Sequence, residues 1–162
     1  MVHRQHGFTL LEIVLTSAIL AALAAVGILS YGSFNRTIDV NTIADNISGQ
    51  LRRAQIRAMG ADELKCWGVH FDNPASGSDF YSLYSDTACT NADTGYAADA
   101  EKYFFPAGVV FTTPATNATE NILFNKLSGA LITDSATSIV IETADGKQSK
   151  TITINSVGRV SY

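Results

Sequence analysis

The sequence predicts an α+β protein, in which a long N-terminal α-helix packs on a C-terminal antiparallel β-sheet domain. Two patterns support this fold class. Apolar residues dominate positions 8–31 and then recur at spacings of three and four as far as Ala58, which is typical of a helix that becomes amphipathic. After Gly60, short runs rich in β-branched and aromatic residues alternate with turn residues, which is typical of strands.

The first half of the predicted helix decides where the protein is located. Between Phe8 and Tyr31 the one charged residue is Glu12. As a helix with a rise of 1.5 Å per residue, this segment would span roughly 36 Å, enough to cross a hydrocarbon core of about 30 Å. The polar leader, residues 1–7, carries Arg4, and a positive charge on the cytoplasmic side predicts export of the chain after Tyr31.

An ordinary secretory signal peptide is the alternative for this segment. Such a peptide has a short basic start, an apolar middle and small residues at its cleavage site, and Ala22, Ala24 and Ala25 are suitable small residues. Glu12 argues against it, because a carboxylate at the bilayer centre costs about 2.5–3.5 kcal/mol on insertion scales. A signal peptide gains nothing from that cost, whereas a protein that later pairs the carboxylate does.

One short motif resembles the processing site of type IV pilins and type II secretion pseudopilins: Gly7, Phe8, Thr9, Leu10, Leu11 and Glu12. The resemblance implies that a prepilin peptidase cleaves between Gly7 and Phe8, and that the new Phe8 amine is N-methylated. It implies that Glu12 acts in filament assembly by meeting the N-terminal amine of a neighbouring subunit. Other implied partners are further pilin or pseudopilin subunits, the inner-membrane assembly platform and membrane lipid.

These features divide the chain into four segments. Residues 1–7 are the leader peptide, residues 8–31 a transmembrane and assembly helix, residues 32–60 its amphipathic continuation, and residues 61–162 a β-rich periplasmic or extracellular domain. The protein is therefore expected to cross the cytoplasmic (inner) membrane once before it enters a filament.

The continuation carries an apolar seam from Ile43 to Ala58, which is expected to cover the sheet. The polar residues between the seam positions are expected to face away from it: Arg52, Arg53, Gln55 and Arg57. The Gly60 position predicts the end of the helix.

The β-rich domain contains several predicted strands, in KCWGVHFD, FYSLYSD, KYFFPAGVVFTT and NILFNKLSGALIT. A hairpin is predicted around Asp145-Gly146, followed by a short last strand. A helix that ends in LRRAQIRAMG before such a domain resembles the H-type minor pseudopilins and FimT-like minor pilins. The pieces that match are Leu51 to Ala58, Phe124 to Gly129, and Gly158-Arg159.

The two cysteines, Cys66 and Cys89, are 23 residues apart. In an exported domain they are expected to form a disulfide, whereas two separate buried thiols are the alternative for a reducing host. The sequence has no CxxC pattern, and His70 is the one histidine after the leader, so no metal site is predicted and no cofactor is expected. His70 is interpreted as a plain strand residue, and the acidic loop from Asp86 to Glu101 as a solvated loop.

Composition and motifs favour a structural role over catalysis. No nucleophile–base motif, phosphate loop or paired-carboxylate signature is present, so the protein is not expected to be an enzyme. The formal net charge of −4 gives no general reason to bind nucleic acid. DNA uptake stays as an alternative function, with Lys147, Lys150 and Arg159 as a small cationic patch, but three cations make weak phosphate binding.

Overall fold

The structure is a computed structural model that describes residues 9–90, 101–133 and 135–162. Its first element is helix α1, Leu10–Met59, which is 50 residues long. The chain divides into two compact units, one that ends at Asn35 and one that runs from Arg36 to Tyr162. Within the described residues, no helix combines the length and the apolar character that a membrane crossing needs.

In its described residues, the C-terminal unit contains the second half of α1, a short 3₁₀ turn at Asp62–Leu64 and eight strands. The strands are β1 (Cys66–Asn73), β2 (Phe80–Asp86), β3 (Lys102–Phe104), β4 (Val109–Thr113), β5 (Ala118–Phe124), β6 (Thr137–Thr143), β7 (Ser149–Ile154) and β8 (Val160–Ser161). They form two four-stranded sheets with the orders β3-β2-β1-β5 and β4-β6-β7-β8. All pairings are antiparallel, so the predicted α+β class is confirmed.

One hydrophobic core joins α1 to both sheets. The buried face of α1 follows the predicted seam, with Ile43, Ile47, Leu51, Ala54 and Ala58 all inaccessible or nearly so. These residues belong to the same cluster as buried side chains of the two sheets: Val69, Phe71, Phe111, Ile122, Phe124, Ile139, Ile141, Ile152 and Ile154. The prediction that the seam covers the sheet is therefore confirmed.

Two of the four polar residues that were predicted to face away from the seam do not do so. Gln55 is half-buried and donates a hydrogen bond to the Gly129 carbonyl, and the Arg57 guanidinium lies 4.5 Å from the centroid of the Trp67 ring. The expectation that both face away was wrong, because long side chains can lie along the protein surface and still reach partners on other segments. Arg52 and Arg53 are exposed, as predicted.

The end of α1 is closed by backbone hydrogen bonds. The helix ends at Met59, and the Gly60 amide donates to the Ile56 carbonyl over 2.9 Å. The Leu127 amide donates to the Ala58 carbonyl, also over 2.9 Å. The Ala58 carbonyl, which has no partner within the helix itself, also accepts the Ala61 amide over 3.1 Å, and the bond from Leu127 ties the loop after β5 to the helix.

Candidate functional site

The start of α1 is built by a threonine cap. The Thr9 carbonyl accepts hydrogen bonds from the Glu12 and Ile13 amides, at 3.1 and 3.2 Å, and the Thr9 hydroxyl oxygen accepts from the Glu12 amide at 3.3 Å. This is the arrangement of an N-cap residue, whose side chain satisfies an amide that has no partner within the helix. Thr9 therefore fixes the point at which the helix begins.

The cap places Glu12 in the first helical turn, at the third helical position. A carboxylate there lies at the positive end of the helix dipole, which stabilises a negative charge. Among the described residues, no hydrogen-bond donor or cation is in contact with this carboxylate. Glu12 thus presents a negative charge on an exposed helix end.

The surface around Glu12 is almost entirely apolar. Every residue from Thr9 to Val26 is exposed. Nine of them are large apolar residues that are more than half exposed: Leu10, Leu11, Ile13, Val14, Leu15, Ile19, Leu20, Leu23 and Val26. An exposed apolar surface of this extent marks a site that contacts other protein or lipid.

The hydroxyl residues of this surface are satisfied by the helix itself. Thr16 donates to the carbonyls of Glu12 and Ile13 at 2.9 and 3.1 Å, and Ser17 donates to Val14 at 2.9 Å. Such side-chain bonds to the preceding turn remove the need for an outside partner. The Glu12 carboxylate is consequently left as the group in this segment that a partner can still satisfy.

Gly7 and Phe8, the predicted cleavage and methylation residues, lie outside the described residues. Their roles stay predictions, as does the role of Glu12 in assembly. The structural role of Thr9 was not predicted from the sequence. The signal that would have found it is the spacing of Thr9 and Glu12, because threonine followed three residues later by glutamate is the pattern of a capping box.

The N-terminal segment that contains Thr9 and Glu12 also matches a known family of sequences. Residues 2–28 match the family model described as Prokaryotic N-terminal methylation motif. The chain carries a prepilin-type N-terminal methylation motif. This motif is consistent with the type IV pilin and pseudopilin family, and it implies an N-terminus that is anchored in the membrane before assembly. Searches of curated proteins and of solved structures found no match for the chain.

The described residues downstream of the prepilin-type motif contain the expected disulfide. Cys66 and Cys89 are joined with an S–S distance of 2.02 Å and a Cα–Cα distance of 5.4 Å. Cys66 packs with Tyr84 and Leu123 in a small second core on the sheet that contains β1. The disulfide therefore fastens the segment after β2 to the start of β1.

His70 and Asp86, the first residue of the acidic loop, are engaged within the chain, whereas residues 91–100 of that loop lie outside the described residues. The Asp86 carboxylate accepts the amides of Ala88 and Thr90, at 2.8 and 2.9 Å. His70 is buried in β1, with Nδ1 2.6 Å from the Asn121 side-chain oxygen. In the described ranges there is no group of three or more His, Cys, Asp or Glu side chains that could hold a metal ion.

Two of the three cations considered for DNA binding also have partners in the chain. Lys147 forms an ion pair with Asp145 at 3.6 Å, and the Lys150 ammonium lies 5.8 Å from the centroid of the Tyr162 ring. Arg159 instead lines an open groove between α1 and the turn before β8, together with Arg52. This groove has a volume of about 540 Å³ and also contains the apolar residues Ile56 and Val157.

Proposed function

We propose that the protein is a structural subunit of a type IV pilus-like or type II secretion filament. The observation that carries this proposal is the start of α1, where a capped helix presents one carboxylate within an exposed apolar surface. That surface lies in the segment matched by the prepilin-type motif. An apolar surface with a single charge suits two successive partners. It can lie in a membrane before assembly, and it can contact neighbouring subunits in the filament afterwards.

Processing would release the surface for assembly. Prepilin peptidase would cleave between Gly7 and Phe8, and the Phe8 amine would be methylated. Residues 8–31 would hold the subunit in the cytoplasmic (inner) membrane, with the C-terminal unit on the periplasmic side. The inner-membrane assembly platform would then move the subunit into the filament. The resemblance to H-type minor pseudopilins makes a minor subunit the finer form of this proposal.

Glu12 supplies the driving force for docking in one position. A carboxylate without a partner is costly in an apolar environment, and pairing with the N-terminal amine of a neighbouring subunit removes much of that cost. The cap at Thr9 fixes Glu12 in the first helical turn, and Glu12 is four residues after the proposed mature N-terminus in the sequence. The pairing would therefore select one register between neighbouring helices.

The first experiment is mass spectrometry of the N-terminus of the protein recovered from its native membrane. A chain that starts at N-methyl-Phe8 is the expected result. A chain that starts near Ala25 would show release by an ordinary signal peptidase, and the filament proposal would be abandoned.

A second experiment tests Glu12 itself. Glu12→Gln keeps the shape of the side chain and removes its charge, so we expect a processed, membrane-bound protein that does not enter filaments. Glu63→Gln is a suitable control, because Glu63 is exposed in the C-terminal unit. Normal filament assembly by Glu12→Gln would remove the proposed role of this carboxylate.

A further inference from the structure

A groove in the C-terminal unit lies between α1 and the chain around β3. It has a volume of about 430 Å³. The residues that give it its character are Asp39, Thr42 and Asn46 on the side of α1, and Tyr81, Tyr103 and Phe105 on the other side. We call this cavity the α1–β3 groove. It lies outside the segment that the prepilin-type motif matches, so the proposed function makes no use of it.

The helix wall of the α1–β3 groove carries side chains that form hydrogen bonds. Asp39, Thr42 and Asn46 are spaced by three and four positions, so they lie on one face of α1. Thr42 and Asn46 are exposed, and Asp39 is half-buried. Among the described residues, these three side chains have no hydrogen-bond or ion-pair partner. The wall therefore offers a carboxylate, a hydroxyl and an amide to a ligand from outside the chain.

The opposite wall of the groove is aromatic. The Tyr103 ring is stacked on the Tyr81 ring, with centroids 5.3 Å apart and an angle of 17° between the planes. Phe105 meets Tyr81 edge to face, with centroids 6.2 Å apart. Tyr81 and Phe105 are buried, whereas Tyr103 is half-buried. Tyr103 is therefore the ring that a ligand can reach, and the packed rings behind it hold it in place.

Two opposed walls of this kind suit a carbohydrate. A pyranose ring has a face of C–H groups, and these pack favourably on the negative face of an aromatic ring. Its hydroxyl groups lie around the edge of the ring and both donate and accept hydrogen bonds. The same sugar can thus donate to a carboxylate and exchange hydrogen bonds with an amide on the facing wall. A few polar groups opposite an apolar surface are also the usual composition of a small-ligand site.

The charges of the groove argue against two other classes of ligand. The Asp39 carboxylate disfavours an anion, and Lys102, a cation of the groove, has its ammonium 4.4 Å from the centroid of the Phe80 ring. A proline-rich peptide packs on aromatic grooves, but proline has no backbone N–H. An ionised carboxylate only accepts hydrogen bonds, so such a peptide would leave Asp39 without a donor.

We propose that the α1–β3 groove binds a neutral oligosaccharide of pyranose rings. Tyr103 supplies the surface on which one sugar ring packs, and Asp39 and Asn46 form hydrogen bonds with sugar hydroxyl groups. Asp39 and Asn46 are seven residues apart, which corresponds to about 10.5 Å along the helix axis. This separation exceeds the length of a single pyranose ring, so the site extends over neighbouring sugars of a chain.

Calorimetric titration of the full-length chain tests the proposal with cellohexaose, chitohexaose, maltohexaose and decaproline as probes. The protein is held in micelles of a zwitterionic detergent, because a detergent with a sugar headgroup would compete for the groove. We expect at least one oligosaccharide to bind more tightly than decaproline. Binding of decaproline with equal or greater affinity would overturn the proposal in favour of a peptide site. Binding of no oligosaccharide at concentrations up to about 10 mM would also overturn it.

Matched substitutions on α1 locate the binding site. Asn46→Ala should weaken oligosaccharide binding about fivefold, and Asp39→Ala about tenfold or more, because hydrogen bonds to a charged group are the stronger ones. Asn41→Ala is the control, because Asn41 is an exposed residue of the same helix that does not line the groove. It should bind like wild type. Equal affinities for the Asn41 and Asn46 variants would refute the assignment to this groove.

Two substitutions at Tyr103 test the aromatic surface. Tyr103→Phe keeps the ring and should retain binding, whereas Tyr103→Leu should weaken it about tenfold. Because Tyr103 stacks on the buried Tyr81 ring, the unfolding midpoint of each variant is measured first. If Tyr103→Leu does not fold, the variants of Asp39 and Asn46 decide the question. Unchanged affinity in a folded Tyr103→Leu protein would overturn the proposal. All of these outcomes leave the filament proposal intact, because that proposal rests on the start of α1.

Discussion

The side-chain amide of Gln55 donates a hydrogen bond to the carbonyl oxygen of Gly129 over 3.0 Å. This bond connects three segments, because the backbone at Gly158 packs against the same two groups. Gly129 and Gly158 both have positive φ, at 67° and 85°. The three pieces of sequence that resemble H-type minor pseudopilins therefore meet at one point on the C-terminal unit.

Gly158→Ala should destabilise the protein more than a typical glycine-to-alanine change at positive φ. A Cβ on Gly158 would overlap the Gly129 carbonyl oxygen and the Gln55 amide, and alanine is also strained at this φ. We expect a loss of more than about 2 kcal/mol in the free energy of unfolding. This loss can be measured by urea unfolding of the full chain in detergent, with Trp67 fluorescence as the signal.

Gly146→Ala is the matched control for this substitution. Gly146 has φ of 68°, but a Cβ there would meet nothing within 4 Å. Gly146→Ala should lower the free energy of unfolding only through backbone strain, by about 1 kcal/mol. Equal losses for the two variants would show that crowding around Gln55 does not contribute to stability.

Gly49→Ala should have the opposite effect on stability. Gly49 is in a helix interior and its surroundings are open, so alanine should stabilise the chain by about 0.8–1 kcal/mol through its higher helix propensity. The same urea unfolding experiment measures this gain. A loss of stability would mean that the fold requires glycine at position 49 for a reason other than the space around it.

Removal of the disulfide should lower stability without abolishing the main core. Cys66 and Cys89 are 23 residues apart, and closing a loop of this size is worth about 3 kcal/mol in the chain-entropy model. Cys66→Ser with Cys89→Ser should therefore unfold at a lower urea concentration. Wild-type protein treated with a reductant should match the variant, and a difference between them would point to packing around Cys66 as the cause.

Periodic and chemically specific patterns were predictable from the sequence, and single long-range contacts were not. The seam from Ile43 to Ala58, most of the strands and the turn at Asp145-Gly146 follow local rules that a short window reveals. The role of Gln55 depends on Gly129, which is 74 positions away in the sequence. The role of Arg57 depends on the ring of Trp67. No local pattern encodes such partners.

The functional site shows the same division. The prepilin-type motif was recognisable because its chemistry needs particular residues at fixed spacing. The cap at Thr9 was not recognised, although the spacing of Thr9 and Glu12 is visible in the sequence. Its role becomes evident only when the structure shows that the Thr9 hydroxyl oxygen accepts a hydrogen bond from the Glu12 amide.

Asp79 should make stability depend on pH. Burial raises the pKa of its carboxyl group above the ordinary value, although the Phe111 amide donates to it over 2.6 Å and lowers the pKa in part. The folded state therefore binds this proton more tightly than the unfolded state, and stability should fall as pH rises from about 3.8 through the raised pKa. Urea unfolding midpoints measured between pH 4 and pH 7 report this slope.

Two substitutions separate the charge of Asp79 from its hydrogen bond. Asp79→Asn keeps an acceptor for the Phe111 amide, so it should flatten this part of the pH dependence and be at least as stable as wild type at pH 7. Asp79→Ala leaves that buried amide without its acceptor and should cost about 1–3 kcal/mol at every pH. An unchanged pH slope in Asp79→Asn would assign the slope to another group, and Glu120, whose pKa is also raised by burial, is the next to test.

Thr9→Ala should loosen the start of α1. The substitution removes the hydroxyl oxygen that accepts the Glu12 amide, and the loss of such a cap typically costs about 1 kcal/mol. In hydrogen exchange of the full chain in micelles, the Glu12 and Ile13 amides should exchange about fivefold faster, since 1.4 kcal/mol corresponds to tenfold. Thr9→Ser keeps the hydroxyl and should restore the slow exchange. If alanine and serine gave the same rates, Thr9 would not hold the helix start, and Glu12 would owe its position in the first turn to the apolar sequence alone.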